Sequence, residues 1–172
     1  ALATEEGRLA REMASVDVPP NFETIATDNG IRGDSTMDKL TSLPPAFTRP
    51  DGTLTAANSS FLTDGAAVVL LMSEEKALAL GYRPKATIRS FSFTAQNPAT
   101  DLLLGPAFAS PIALERAGLQ MQDIGVFEFH EAFAGQILAN LACLASDKFA
   151  QDYLQRSQKV GEVDMDALNL WG

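Results

Sequence analysis

Cysteine, histidine and tryptophan each occur once in the 172 residues, as Cys143, His130 and Trp171. A lone cysteine excludes an intrachain disulfide framework and a multi-cysteine zinc site, and it suits a reducing compartment. Paired histidines at zincin spacing are absent for the same arithmetic reason. Positive charge is scarce too: 13 Lys plus Arg stand against 22 Asp plus Glu, a net charge of −9, which disfavours sequence-independent nucleic-acid binding. An anionic ligand has to be met by local basic groups. The longest apolar run, residues 66–72, is far too short to span a bilayer, so no transmembrane segment is expected. Phosphate-loop, Gly-x-Gly-x-x-Gly and nucleophile-elbow patterns are missing, and their enzyme classes drop out. The opening Ala1-Leu2-Ala3-Thr4-Glu5-Glu6 has neither an initiator Met nor a secretory leader, so the sequence reads as cut from something longer.

What is present is a globular composition, 46% apolar and 20% charged, with no repeat and no low-complexity tract. A short helix is expected over 1–14, stopped by Val18-Pro19-Pro20. Residues 15–60 read as irregular chain, punctuated by Asn29-Gly30, Pro44-Pro45 and Asp51-Gly52. So long a loop tends to be functional. The run 66–72 has the length and apolarity of a strand buried on both faces. Ser73-Glu74-Glu75 then opens a helix that Gly81 ends. A second strand is expected over 86–93, a helix opened by Ser110-Pro111 and closed by Gly118, a third strand over 124–129, and a helix over 132–145. Alternating strands and helices imply right-handed crossovers and a largely parallel sheet, an α/β fold. The remainder, 146–172, reads as a polar tail.

His130 falls where the third strand gives way to a helix, and ligands of parallel sheets gather outside the carboxyl ends of strands. The alternative is a buried histidine satisfied by a backbone carbonyl. Cys143, beside Leu141 and Leu144 on a helical apolar face, reads as an inert buried thiol. Asn58-Ser59-Ser60 matches a glycosylation sequon, a reading the missing leader disfavours.

Several segments together resemble the thiolase family. Residues 55–67, Thr-Ala-Ala-Asn-Ser-Ser-Phe-Leu-Thr-Asp-Gly-Ala-Ala, resemble the passage from the thiolase loop domain into the first strand of the carboxyl half. His130-Glu131-Ala132-Phe133 resembles the family's Asn/His-Glu-Ala-Phe motif, and Asp28-Asn29-Gly30-Ile31-Arg32 with Pro45-Ala46-Phe47 resembles the loop-domain pattern. The histidine variant, Leu103-Leu104-Gly105-Pro106 and the insertion from Asp147 to Gly172 resemble one subgroup, the degradative 3-ketoacyl-CoA thiolases found as β subunits of the trifunctional fatty-acid-oxidation complex.

The resemblance implies a partial thiolase-like fold, with residues 1–62 ending the loop domain and 63–172 supplying the first three strand and helix units of the carboxyl-terminal domain, a mostly parallel sheet flanked by helices. It implies cleavage of a 3-ketoacyl-CoA by CoA to acetyl-CoA and a shortened acyl-CoA. His130 would be an oxyanion-hole donor, since a neutral imidazole keeps one N–H. Glu131 would orient it, or else be a solvated acid at a helix start. Ser60 would meet the pantetheine arm and Arg32 the nucleotide end of CoA, while Phe47 and Phe133 would be pocket walls or core packing. No metal and no cofactor are implied, CoA being a substrate. Implied partners are a second thiolase subunit in a homodimer and an α subunit of a β-oxidation complex, in the cytoplasm of a bacterium or the mitochondrion of a eukaryote. The family's nucleophilic cysteine, its Gly-His-Pro histidine and its second cysteine match nothing in this sequence. Two alternatives stand beside this reading: an acetoacetyl-CoA thiolase, and a non-catalytic CoA-binding or assembly module.

Overall fold

Turn-forming residues crowd the beginning of the chain, and the structure follows them. In the computed structural model, which describes residues 1–171, this part holds only α1 (Leu2–Glu5), an antiparallel ribbon of β1 (Val16–Val18) with β2 (Glu23–Ile25), and α2 (Met37–Thr41). The helix expected over 1–14 is reduced to its first turn, with Gly7 at φ +68° shortly after it. Pro19-Pro20 lies in the connection of the ribbon, whose register sets Val16 opposite Ile25 and Val18 opposite Glu23.

Helices dominate the rest. The hydroxyl of Ser73 accepts the Lys76 N–H at 3.2 Å, which caps α3 (Glu74–Ala79), and Glu74 and Glu75 complement its dipole. Helix α4 (Gly105–Ala117) starts five residues before Ser110, so the expected opening at Ser110-Pro111 is corrected. Pro106 takes the first-turn position, and Pro111 is buried mid-helix, where it gives up one backbone bond. Two serines from outside bond the helix on either side of it: Ser90 and Ser92 donate to the carbonyls of Ala113 at 2.6 Å and Ala109 at 2.7 Å. Gly118 closes the helix in the left-handed region at φ +66°, which glycine reaches without a Cβ clash. Helix α5 (Ala134–Leu144) follows the third strand candidate, and the expected polar tail instead forms α6 (Asp147–Tyr153) and a 3₁₀ turn, Met165–Ala167.

The core lies among α4, α5 and the chain after α6. Met121, Phe127 and Leu144 are buried there, flanked by Leu114, Ile124, Phe129, Val160, Val163, Ala167 and Leu168. Burying a side chain such as Leu144 stabilises by about 2 kcal/mol. Asn140, also fully buried, ties α5 to the start of α4. Its carbonyl accepts the Ala107 N–H at 2.9 Å, and its amide donates to Leu103 O at 2.9 Å and Gln136 O at 2.8 Å.

The sheet departs from expectation. Among the described residues the only regular ladder is β1 with β2; segments 66–72, 86–93 and 124–129 form no strand and do not pair with one another. The run expected to be buried on both faces is open, with Val68 95% and Leu71 69% exposed. A strand's bonds and cover come from its neighbours, and no described element lies against this run. Segment 124–129 alone has a partner, a parallel bridge between Phe127 and Leu168.

Candidate active site

The site begins with an alternation. Phe127 is buried and Phe129 half-buried in the core, so the pleat turns Val126, Glu128 and His130 outward. His130 is exposed, and no hydrogen bond engages its imidazole among the described residues, which sets aside the buried, carbonyl-bonded alternative. The strand end beneath it is held on one side by the 3₁₀ turn and the chain just after it. Phe127 N–H donates to Ala167 O at 2.9 Å, and Asn169 N–H donates to Phe127 O at 2.8 Å.

On the other side of the motif stands residues 58–60. Asn58 closes its own turn: its carbonyl oxygen Oδ1 accepts the Thr55 N–H at 2.9 Å and its amide donates to Thr53 O at 2.9 Å. That turn presents the backbone for an antiparallel bridge between Ser59 and Phe133. Ser60 N–H donates to Ala132 O at 2.9 Å, and Ala134 N–H, at the start of α5, donates to Asn58 O at 2.9 Å. Ser60, His130, Glu131 and Phe133 are thus brought to one place, Phe133 half-buried and the other three exposed. With both ends of its amide engaged inside a turn, Asn58 is occupied structurally, which argues against the sequon.

The loop before Arg32 packs against Phe61. Asp28 Oδ1 accepts the Gly30 N–H at 2.7 Å, and Gly30 lies so close on the Phe61 ring that a Cβ there would overlap it. Arg32 itself is exposed and has no ion pair among the described residues. The neighbouring cation, Lys39, is engaged with Asp34 at 2.8 Å; that bond, more than the nearby Arg32 charge, holds the Asp34 carboxyl below its ordinary range. Phe47 is 59% exposed in a loop closed by the Ala46 N–H donating to Leu54 O at 2.7 Å, and no contact places it beside His130. Cys143 is half-buried in α5; burial pushes its thiol up, and Asp101 adds to the effect. Among the described residues no cluster of His, Cys, Asp and Glu has the makings of a metal site.

Two residues of this site were illegible as functional in the sequence. Asn58 looked like a sequon, though Thr55 three residues before it is the spacing of a side-chain-closed turn. Asn169 looked like part of a polar tail, yet its amide holds the strand end, bonding Phe129 N–H at 2.7 Å and Phe129 O at 2.9 Å as well as Glu131.

A strand-end histidine and a bridging Ser-Ser segment on alternating extended and helical chain define a class, and comparison with known proteins supplies it. Residues 1–75 match the family profile "Thiolase, N-terminal domain" and residues 82–172 match "Thiolase, C-terminal domain": the chain belongs to the thiolase family. Its backbone is thiolase-like throughout. It aligns over 99% of its length with 39% of the dimeric peroxisomal thiolase of Saccharomyces cerevisiae, at a TM-score of 0.83 and 32% identity. Among named relatives it is 58% identical over 153 residues to the mitochondrial trifunctional enzyme subunit beta of Bos taurus, covering 89% of this chain and 32% of the relative. It is 50% identical over 172 residues to a 3-ketoacyl-CoA thiolase of Yersinia enterocolitica, covering 100% of this chain and 39% of the relative. The chain therefore spans about a third of the length of these relatives.

Proposed function

We propose that this chain is part of a degradative 3-ketoacyl-CoA thiolase, an acetyl-CoA acyltransferase of fatty-acid β-oxidation. The observation that carries the reading is the strand end: an outward His130 one residue from Glu131, with the Ser59–Ser60 segment bonded across at Phe133 and Ala132. The names of relatives at 50–58% identity support the degradative subgroup.

In this reading residues 1–62 end the loop domain and 63–172 begin the carboxyl-terminal domain. A cysteine thiolate outside these residues attacks the 3-keto carbon of the substrate. The C2–C3 bond breaks, its electron pair passes to the thioester enolate, and a proton delivered to C2 gives acetyl-CoA. Free CoA then takes the acyl group from the cysteine. His130 donates an imidazole N–H to the thioester oxygen as it gains charge, and a donor of this kind is worth roughly 3 kcal/mol in the transition state. Ser60 meets the pantetheine arm, Arg32 the nucleotide end of CoA, and Phe133 and Phe47 line the reactive end. CoA is a substrate in this chemistry and no metal takes part. The working assembly is a thiolase dimer associated with a β-oxidation α subunit, in the cytoplasm of a bacterium or the mitochondrion of a eukaryote. Cys143, half-buried and with its thiol pushed up, has no place in the covalent step.

The test is product analysis. The protein in its full length, given a 3-ketoacyl-CoA and CoA, is expected to yield acetyl-CoA and the two-carbon-shorter acyl-CoA in equal amounts. Binding of CoA with no cleavage would return the reading to a non-catalytic CoA module.

A further inference from the structure

Asn169 makes an unusual set of bonds for a residue in a connecting segment. Its backbone N–H donates to Phe127 O at 2.8 Å, and its φ of +47° lies in the left-handed region, where asparagine is several-fold enriched among residues other than glycine. From there its side chain runs alongside the strand end. Oδ1 accepts the Phe129 N–H at 2.7 Å, and Nδ2 donates to Phe129 O at 2.9 Å. One amide thus takes both backbone groups of Phe129, the bonding a neighbouring strand would supply. The second hydrogen of Nδ2 goes to Glu131 Oε1. The residue before His130 and the residue after it are therefore fastened to the same side chain.

We propose that Asn169 is a positioning residue for His130, fixing the strand end through Phe129 and the orientation of Glu131; the proposal rests on the thiolase reading above. The chemistry demands an amide. An aspartate keeps the shape but has no N–H for Phe129 O, and it would set a second carboxylate against Glu131. Two carboxylates sharing a site cannot both stay ionised cheaply, so one of them titrates at raised pH. Once protonated, that carboxyl can donate one of the two bonds that the amide makes.

The experiment is a set of kinetic measurements on the full-length protein: wild type, His130→Ala, Asn169→Asp, Asn169→Asp with Glu131→Gln, and Asn169→Asp with His130→Ala. Asn169→Asp is expected to lower kcat about tenfold or more with KM little changed, the usual size for loss of a supporting contact. Its kcat should recover towards lower pH relative to wild type, as the shared proton returns. Glu131→Gln in the same protein removes the repulsion and supplies an amide, and should restore part of the loss. Combined with His130→Ala, Asn169→Asp should add nothing further, because it acts through the histidine. Wild-type kcat in Asn169→Asp, or a loss indifferent to pH and to Glu131→Gln, overturns the positioning role while leaving the thiolase reading intact if His130→Ala is impaired. Wild-type kcat in His130→Ala overturns both.

Discussion

The lone thiol is the residue a covalent mechanism invites one to promote, and its surroundings argue the other way. Catalytic cysteines are made reactive by nearby positive charge or a helix N-terminus. Cys143 has neither: it lies near the end of α5, partly desolvated, with Asp101 as its charged influence, and both effects hold the thiol protonated. Alkylation by iodoacetamide near neutral pH should therefore run well below the rate of an unhindered thiol, and accelerate only as pH rises past the ordinary cysteine range. Rapid modification at neutral pH, followed by mass spectrometry, would contradict this account of the site.

At the scale of elements, a single buried amide joins α4 to α5. Asn140 makes three bonds to backbone groups of Leu103, Ala107 and Gln136, and both Asn140 and Ala107 are fully buried. Asn140→Leu keeps the volume and removes the three side-chain bonds, while the Ala107 N–H keeps its bond to Leu104 O at 3.0 Å, so the full-length protein should lose about 1–3 kcal/mol, read from the shift of its urea midpoint. A shift within about 0.5 kcal/mol would mean that the helices are held by apolar packing alone. The helices were legible where their stops are local: Ser73, Gly81 and Gly118 act through a hydroxyl or a left-handed φ, which the residue itself carries. The start of α4 was not, because Pro111 sits mid-helix and the serines that stabilise the turns around it, Ser90 and Ser92, come from another segment. The same division holds at the site. The position of His130 followed from local pattern, whereas the work of Asn58 and Asn169 depends on partners up to 76 residues away in the chain, as in the bond from Ala134 to Asn58. The resemblance marked Ser60 and the motif at 130–133 as separate site residues, and a bridge between Ser59 and Phe133 lies beside both; Phe47 stands apart from it.

At the scale of the whole molecule, the exposed run 66–72 is the main liability. Its residues are apolar, uncharged and without a ladder, a template for pairing with another chain. The 172 residues produced alone should therefore scatter light and melt without a cooperative urea transition. A monomer with a sharp transition and several kcal/mol of stability would show that these residues cover their own core, and would favour a self-standing CoA-binding module. The central claim is that the strand end at His130, bridged by the Ser59–Ser60 segment, is the oxyanion side of a thiolase site. The direct measurement is steady-state thiolysis by His130→Ala in the full-length protein. This account predicts a kcat lower by roughly a hundredfold or more with KM little moved, the cost of one missing oxyanion donor; an unchanged kcat would contradict it.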